Sequence, residues 1–249
     1  MGSLDGKTAL VTGASGGIGR AIALRLSNAG AAVAVHYNSH PDRAAELVAA
    51  IEATGRRAVA LGADLRSVPA VAKMFTALAE KKFEALDILV NNAGIGVSTN
   101  LAQTSEALFD DVLDTNVKGT FFVTQAALPL LRDGGAIVSI SSMVSLAAYP
   151  SCIAYAMSKA AMNAFTRSLA AELGPRRIRV NAIAPGATET EFIGAYMQNP
   201  AMVSALEGLT ALGRIGKPDD IAAAVEFLTS PGGAWITGQV IQASGGMHL

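Results

Sequence analysis

Residues 8–19 read Thr8-Ala9-Leu10-Val11-Thr12-Gly13-Ala14-Ser15-Gly16-Gly17-Ile18-Gly19. The first four are short, apolar and rich in strand formers, as a buried strand requires. Glycines at 13, 16, 17 and 19 let the backbone turn sharply and come close to a ligand. The segment that follows, near 17–29, carries a helical period. Its free N–H groups and positive dipole end would face the turn, which suits an anion. The pyrophosphate of a dinucleotide meets that description, although glycine turns also serve purely steric ends.

Outward from this turn, short apolar runs alternate with helical stretches along the whole chain. Strands are predicted near 7–12, 31–37, 57–62, 86–91, 135–141, 177–184 and 238–242. Helices are predicted near 17–29, 41–54, 67–82, 104–132, 153–174 and 218–229. Ala136-Ile137-Val138-Ser139-Ile140 and Asp87-Ile88-Leu89-Val90 are apolar on both faces, as parallel strands covered by helices must be. This alternation predicts a Rossmann-type α/β fold: a doubly wound parallel sheet of about seven strands, with helices on both faces in three layers. No linker or repeat divides residues 1–249, so a single domain is expected. The stretch 186–216 breaks the rhythm and reads as a long loop, placed to act as a lid over the carboxyl ends of the strands.

Composition narrows the function. Hydrophobic residues make up 51% of 249 and charged residues 16%, which excludes a disordered chain. Nineteen Lys and Arg against 20 Asp and Glu leave a net charge of −1, with no electrostatic reason to bind nucleic acid or an anionic membrane. One cysteine, Cys152, and three scattered histidines (His36, His40, His248) give no disulfide and no metal-ligand spacing. No secretion signal or membrane span is expected, which points to the cytoplasm.

Further motifs follow in order: Asn91-Asn92-Ala93-Gly94 after the fourth strand, Asn116 within Thr-Asn-Val-Lys-Gly, Ser141-Ser142 after the fifth, Tyr155-Ala156-Met157-Ser158-Lys159 opening a helix, and Pro185-Gly186 after the sixth. Together with the TGxxxGxG spacing of Thr12–Gly19, they resemble the short-chain dehydrogenase/reductase family over essentially the whole chain, most closely its 3-oxoacyl-(acyl carrier protein) reductase-like branch. The resemblance implies hydride transfer between a nicotinamide and a carbonyl or secondary alcohol. It also implies a catalytic set of Asn116, Ser142, Tyr155 and Lys159. Tyr155 and Lys159, four apart on a helix, share a face. A phenol with an ordinary pKa near ~10 exchanges protons poorly at neutral pH, and a neighbouring ammonium favours its phenolate. The pair can act as acid for reduction and base for oxidation, while the Ser142 hydroxyl can bond the substrate oxygen.

For the nucleotide, the resemblance implies cofactor binding by Gly13, Ser15, Gly17, Ile18, Gly19, Asp64, Leu65, Asn92, Ala93, Gly94, Tyr155, Lys159, Pro185, Gly186 and Thr188, with Asp64 at the adenine amino group, Lys159 at the nicotinamide ribose and Thr188 at the carboxamide. Asp64 could instead cap the helix beginning near Ser67. NAD enzymes usually carry an acid about twenty residues past the glycines. Here strand 2 ends His36-Tyr37-Asn38-Ser39. Tyr37 stands at the acid's position and, with Asn38 and Ser39, can donate hydrogen bonds to a 2′-phosphate. NADP(H) is therefore favoured over NAD(H), although Gly16 stands where many NADP-using members have an arginine.

Ile95, Met143, Val144, Phe192 and Tyr196, with Ser142, are expected to line an apolar substrate space, and Cys152 reads as a small lining residue. The expected reaction is reduction of a ketone or 3-oxoacyl compound. An acidic acyl carrier protein is a possible partner if Arg176, Arg177 and Arg179 form a docking patch near the site. An NAD-dependent sugar or polyol dehydrogenase is the alternative enzyme, and a catalytically silent NADP-binding sensor or scaffold is the alternative of another class. The tail from Trp235 to Gly246 resembles family segments that pack between subunits, which implies a homotetramer.

Overall fold

The computed structural model describes residues 2–248, with Ala195 and Tyr196 described by their backbone alone. Seven parallel strands form one sheet: β1 (Thr8–Val11), β2 (Ala32–Tyr37), β3 (Ala58–Gly62), β4 (Leu86–Asn91), β5 (Leu131–Ile140), β6 (Arg179–Pro185) and β7 (Val240–Ala243). Their order across the sheet is β3-β2-β1-β4-β5-β6-β7. Strand order reverses at β1 and β4, the chain winding outward to β3 on one side and to β7 on the other, which opens a crevice at their carboxyl ends.

Nine α-helices occur among the described residues: α1 (Gly17–Asn28), α2 (Pro41–Glu52), α3 (Val68–Glu80), α4 (Glu106–Leu113), α5 (Thr120–Ala127), α6 (Ile153–Leu173), α7 (Gly194–Met197), α8 (Pro200–Gly208) and α9 (Pro218–Thr229). The period-two alternation of the strands divides the core between two faces. Ala9, Val11, Val33 and Val35 pack with Ile22 and Leu26 of α1, Leu47 of α2 and Val225 of α9. Leu10, Ala34 and Leu89 point the other way, toward Val71 of α3, Val123 of α5 and Leu169 of α6. This two-sided burial is why the strands read as unbroken apolar runs.

Three regions differ from expectation. The helix predicted over 104–132 is broken. Ser105 caps α4 by accepting from the Leu108 N–H, a π-helical turn spans Asp114–Gly119, and α5 ends at Ala127. π-Turns inside helices occur often at functional sites, and this one carries Asn116. Second, β5 starts at Leu131, ahead of the expected 135. Leu131 pairs with Leu86 and the register shifts between Leu86 and Ile88. Exposed Arg132, Asp133 and Gly134 hide that first half from an apolar pattern. Third, the stretch 186–216 is not an irregular loop: it holds a 3₁₀ turn at Glu191–Ile193 and helices α7 and α8. Asn199 caps α8 and Pro200 occupies its first turn, a start signal that periodicity alone overlooks.

The arginines proposed as a docking patch lie at the amino-terminal end of β6, opposite the crevice. Arg176 binds Asp133 and the Leu128 and Leu131 carbonyls. Arg179 donates to the Leu228 and Gly233 carbonyls. Neither is available to a carrier protein docked over the site. No helix among the described residues is long and apolar enough to cross a membrane, and no cluster of metal-ligating side chains occurs among them.

Candidate active site

A cavity of about 850 Å³ runs along the carboxyl ends of the strands, within the size range of small-molecule and cofactor sites. At one end lies the glycine turn, held by buried polar groups. The Thr12 hydroxyl accepts from the Asn92 and Ala93 N–H groups at 2.9 and 3.0 Å, and Asn92 Nδ2 donates to the carbonyls of Thr12 and Gly13. The turn needs glycine at specific points. Gly13 adopts φ +63°, in the left-handed region that glycine enters freely. A Cβ on Gly19 would lie 2.3 Å from the Gly13 carbonyl oxygen and 2.4 Å from Asn92 Nδ2, so strand and helix meet there backbone to backbone.

His36, which no sequence motif marks, also belongs to this turn. The Gly13 N–H donates to its Nδ1 at 3.0 Å, and its Nε2 lies 3.0 Å from the Ala63 carbonyl. With Nδ1 accepting, the proton belongs on Nε2, and a neutral ring joins β1 to β3. Burial lowers its pKa below the ordinary value, opposed in part by the Ala63 hydrogen bond.

Beside the turn, Asn38, Ser39, His40 and Arg43 line the cavity. Tyr37 does not: its ring lies against Gly62, where an added Cβ would come within 2.9 Å of the hydroxyl. As the last residue of β2 it follows the strand's alternation, and the side chains beyond the strand face the cavity instead. Asp64 and Leu65 do line it. Asp64 is not the cap of α3, because Ser67 fills that role by accepting from the Ala70 N–H. Arg66 forks onto Asp64 and also reaches Asp111 at 2.7 Å. Those hydrogen bonds to Arg66 hold the Asp64 carboxyl below its ordinary pKa.

At the other end, Ser142, Tyr155 and Lys159 meet. Ser142 caps the short turn Met143–Ser145 after β5, and Tyr155 and Lys159 share the inner face of α6. The Lys159 ammonium is buried, donates to the Ile140 carbonyl at 2.7 Å and lies 5.7 Å from the Tyr155 ring centroid. Burial lowers its pKa to about 8. Burial also raises the Tyr155 phenol to about 12, with a hydrogen bond from Ser142 acting the other way and Cys152 adding slightly. Asn116 sits behind this group, exchanging 2.8 Å hydrogen bonds with the Ile95 N–H and carbonyl and donating to Ser158 Oγ. Its carboxamide is thus fixed by backbone on one side and by α6 on the other. Gly94 lies between: a Cβ there would be 3.0 Å from Asn116 Oδ1 and 3.4 Å from Lys159 Nζ.

The segment after β6 roofs this end. Thr188 donates to the Gly186 carbonyl and bridges Gly216. Phe192 lies 5.7 Å from the Tyr155 ring at 42° and presses on Gly96, where a Cβ would come within 1.8 Å of its ring. Met143, Val144, Ile95 and Cys152 line the same space, and burial raises the Cys152 pKa, which disfavours a reactive thiolate. Val97, Tyr149, Leu206 and Met247 also line it. These were missed because their elements meet only in the fold. Tyr196, expected here, has its side chain outside the described residues.

The residues present fit a dinucleotide: a close-approach glycine turn for phosphates at one end and a lysine and phenol at the other. The family model described as enoyl-(acyl carrier protein) reductase matches residues 13–248. An uncharacterized oxidoreductase of Methylorubrum extorquens is 44% identical over 249 residues, 100% of both chains. The hydroxynaphthalene reductase-like protein Arp2 of Metarhizium brunneum is 44% identical over 98% of this chain and 96% of its own. The angucycline C-6 ketoreductase LanV, solved with bound NADP, superposes with a TM-score of 0.94 at 43% identity, covering 99% of this chain and 97% of its own. A second LanV structure, with NADP and rabelomycin, gives a TM-score of 0.90 at 42% identity over 99% of this chain and 98% of that one. Near-complete coverage at this identity assigns the molecule: the chain belongs to the short-chain dehydrogenase/reductase family of NAD(P)-dependent oxidoreductases.

Proposed function

We propose that this protein is an NADPH-dependent ketoreductase of extended aromatic ketones, with Tyr155, Ser142, Lys159 and Asn116 as its catalytic set and 186–216 as its lid. The observation that carries this reading is the convergence of the Tyr155 phenol, the buried Lys159 ammonium and the Ser142 hydroxyl in one cavity with the glycine turn. A bound nicotinamide supplies hydride to the carbonyl carbon.

The chain's own groups do the rest. With its pKa pushed up to about 12, Tyr155 is protonated at neutral pH and donates that proton to the oxygen that becomes the alcohol. The Ser142 hydroxyl donates a hydrogen bond to the same oxygen as it gains charge. Lys159, charged below about pH 8, stabilises the phenolate left behind until a proton returns. Asn116, held on both sides, fixes the Ile95 backbone and α6 around them.

Apolar lining by Met143, Val144, Phe192, Leu206 and Met247 supports a large hydrophobic ketone, and the tilted Phe192 ring above Tyr155 supports an aromatic one. LanV is an angucycline ketoreductase seen with rabelomycin, which supports the same substrate class. The commitment of Arg176 and Arg179 to the far side of the sheet weighs against an acyl carrier protein. For assembly we assign the family's tetramer. Trp235, 99% exposed, and the exposed Phe121, Ile153 and Met157 supply apolar surface for it, and light scattering reads the mass.

Loss of NADPH absorbance with a panel of polycyclic aromatic ketones, β-keto esters and 3-oxoacyl thioesters tests the reading. Turnover is expected with the aromatic ketones. Preference for the thioesters would overturn the substrate class, and no turnover of any carbonyl, with NADPH bound, would favour the silent sensor.

A further inference from the structure

Arg43 on the first turn of α2 and Glu191 at the start of the segment after β6 meet over the nucleotide end of the cavity. Arg43 Nη1 donates to both Glu191 carboxylate oxygens, at 2.8 and 3.0 Å. The same Nη1 lies 3.8 Å from where a Cβ on Gly16 would stand, so the guanidinium reaches across to the glycine turn. Three cations line the cavity among the described residues: Arg43, Arg66 and Lys159. Lys159 is buried against the Ile140 carbonyl. Arg66 is engaged by two carboxylates, Asp64 and Asp111. Arg43 has one hydrogen-bonded carboxylate, on a side chain 77% exposed. Such a pair is screened by water and weakly held. Around it stand Asn38, Ser39 and His40, none of them an acid, and the other acid bearing on Arg43 is Glu46 of its own helix.

We infer that Arg43 receives the phosphate monoester on the adenosine ribose, and that Glu191 holds the guanidinium in place until that phosphate displaces its carboxylate. The inference rests on the nicotinamide-nucleotide reading above. A dianionic phosphate presents more oxygens and more charge to the planar guanidinium fork than a solvated carboxylate does. Arg43 thereby supplies from α2 the positive charge that Gly16 does not supply from the turn. Glu191 competes for the same guanidinium, so the lid's first turn and the phosphate hold it in alternation.

Titration of NADPH, NADH and 2′,5′-ADP by nucleotide fluorescence and calorimetry tests this on the whole protein. Arg43→Ala is expected to weaken NADPH and 2′,5′-ADP at least tenfold and NADH less than twofold, NADH affinity serving as the check that the variant is folded. Glu191→Gln is expected to tighten NADPH at least threefold without changing NADH. Arg43→Ala changing NADPH and NADH by one common factor, or changing neither, overturns the role of Arg43. Glu191→Gln weakening NADPH overturns the competition. A wild-type protein that binds neither nucleotide overturns the cofactor reading itself, a result distinct from NADPH binding that ignores Arg43.

Discussion

The two ends of the cavity are built by different means. The nucleotide end is backbone and buried hydrogen bonds: Thr12, Asn92 and neutral His36 tie the glycine turn to β3 and β4, and Gly19 has no room for one added carbon. The substrate end is a roof of side chains on 186–216. It is joined to the body by the Thr210–Met247 bridge and the solvated Arg43–Glu191 pair, and its Phe192 is 57% exposed. A site that recognises a constant partner can be close-packed. One that receives varied ligands is served by side chains that exchange without disturbing the sheet.

The largest test separates chemistry from binding. Tyr155→Phe is expected to lower ketone reduction about 10²–10⁴-fold, the range of a lost general acid, with NADPH affinity unchanged. A loss of binding to match would make Tyr155 part of the nucleotide end. Next comes Gly19→Ala, whose Cβ would collide with the Gly13 carbonyl. Overpacking of this kind costs about 1–3 kcal/mol, which thermal unfolding reads at about 2–4 °C per kcal/mol for a chain of this size. A variant as stable as wild type would show that the turn is looser than its hydrogen bonds indicate.

Two pH effects follow, one at each end. Lys159 loses its charge as pH rises through about 8, so kcat/KM for reduction should hold steady below that point and fall above it, by up to about tenfold per unit. A flat profile through the alkaline range would remove the ammonium from the mechanism. At the nucleotide end, the folded chain keeps His36 neutral and its pKa below the ordinary 6.5. The unfolded chain therefore takes up a proton that the folded chain refuses, and stability present above about pH 6.5 is lost as pH falls, by up to about 1.4 kcal/mol per unit. Denaturant unfolding from neutral to mildly acid pH checks this, with His36→Asn expected to flatten the slope.

The smallest effect belongs to the roof. Phe192→Ala is expected to raise KM for an aromatic ketone by about twofold to tenfold, in keeping with ~0.5–1.5 kcal/mol for an aromatic contact, and to leave the melting temperature nearly unchanged. Destabilisation as large as that of Gly19→Ala would erase the contrast between the two ends.

Much of the sheet was legible because its determinants are local. β1, β4 and β6 are buried on both faces and read as apolar runs, and the glycine turn between β1 and α1 is marked by residue type. The first half of β5 was not legible, since Leu131 earns its place by pairing with Leu86 while Arg132–Gly134 look like a turn. The 104–132 stretch kept one helical period across a π-turn that only the packing of Asn116 against Ile95 and Ser158 makes visible. Helices α7 and α8 were hidden for the opposite reason: they present too little apolar periodicity to stand out from a loop.

What the residues determined unaided is the alternating α/β architecture, the glycine turn and the helical spacing of Tyr155 and Lys159, because each depends on neighbours within a few positions along the chain. Only the tertiary structure decided which side chains line the cavity. Strand alternation sends Tyr37 onto Gly62, while the turn of α2 brings Arg43 across to Gly16 and Glu191. Those pairings join residues as many as 148 positions apart, and no local pattern encodes a contact that exists only once separate elements have packed.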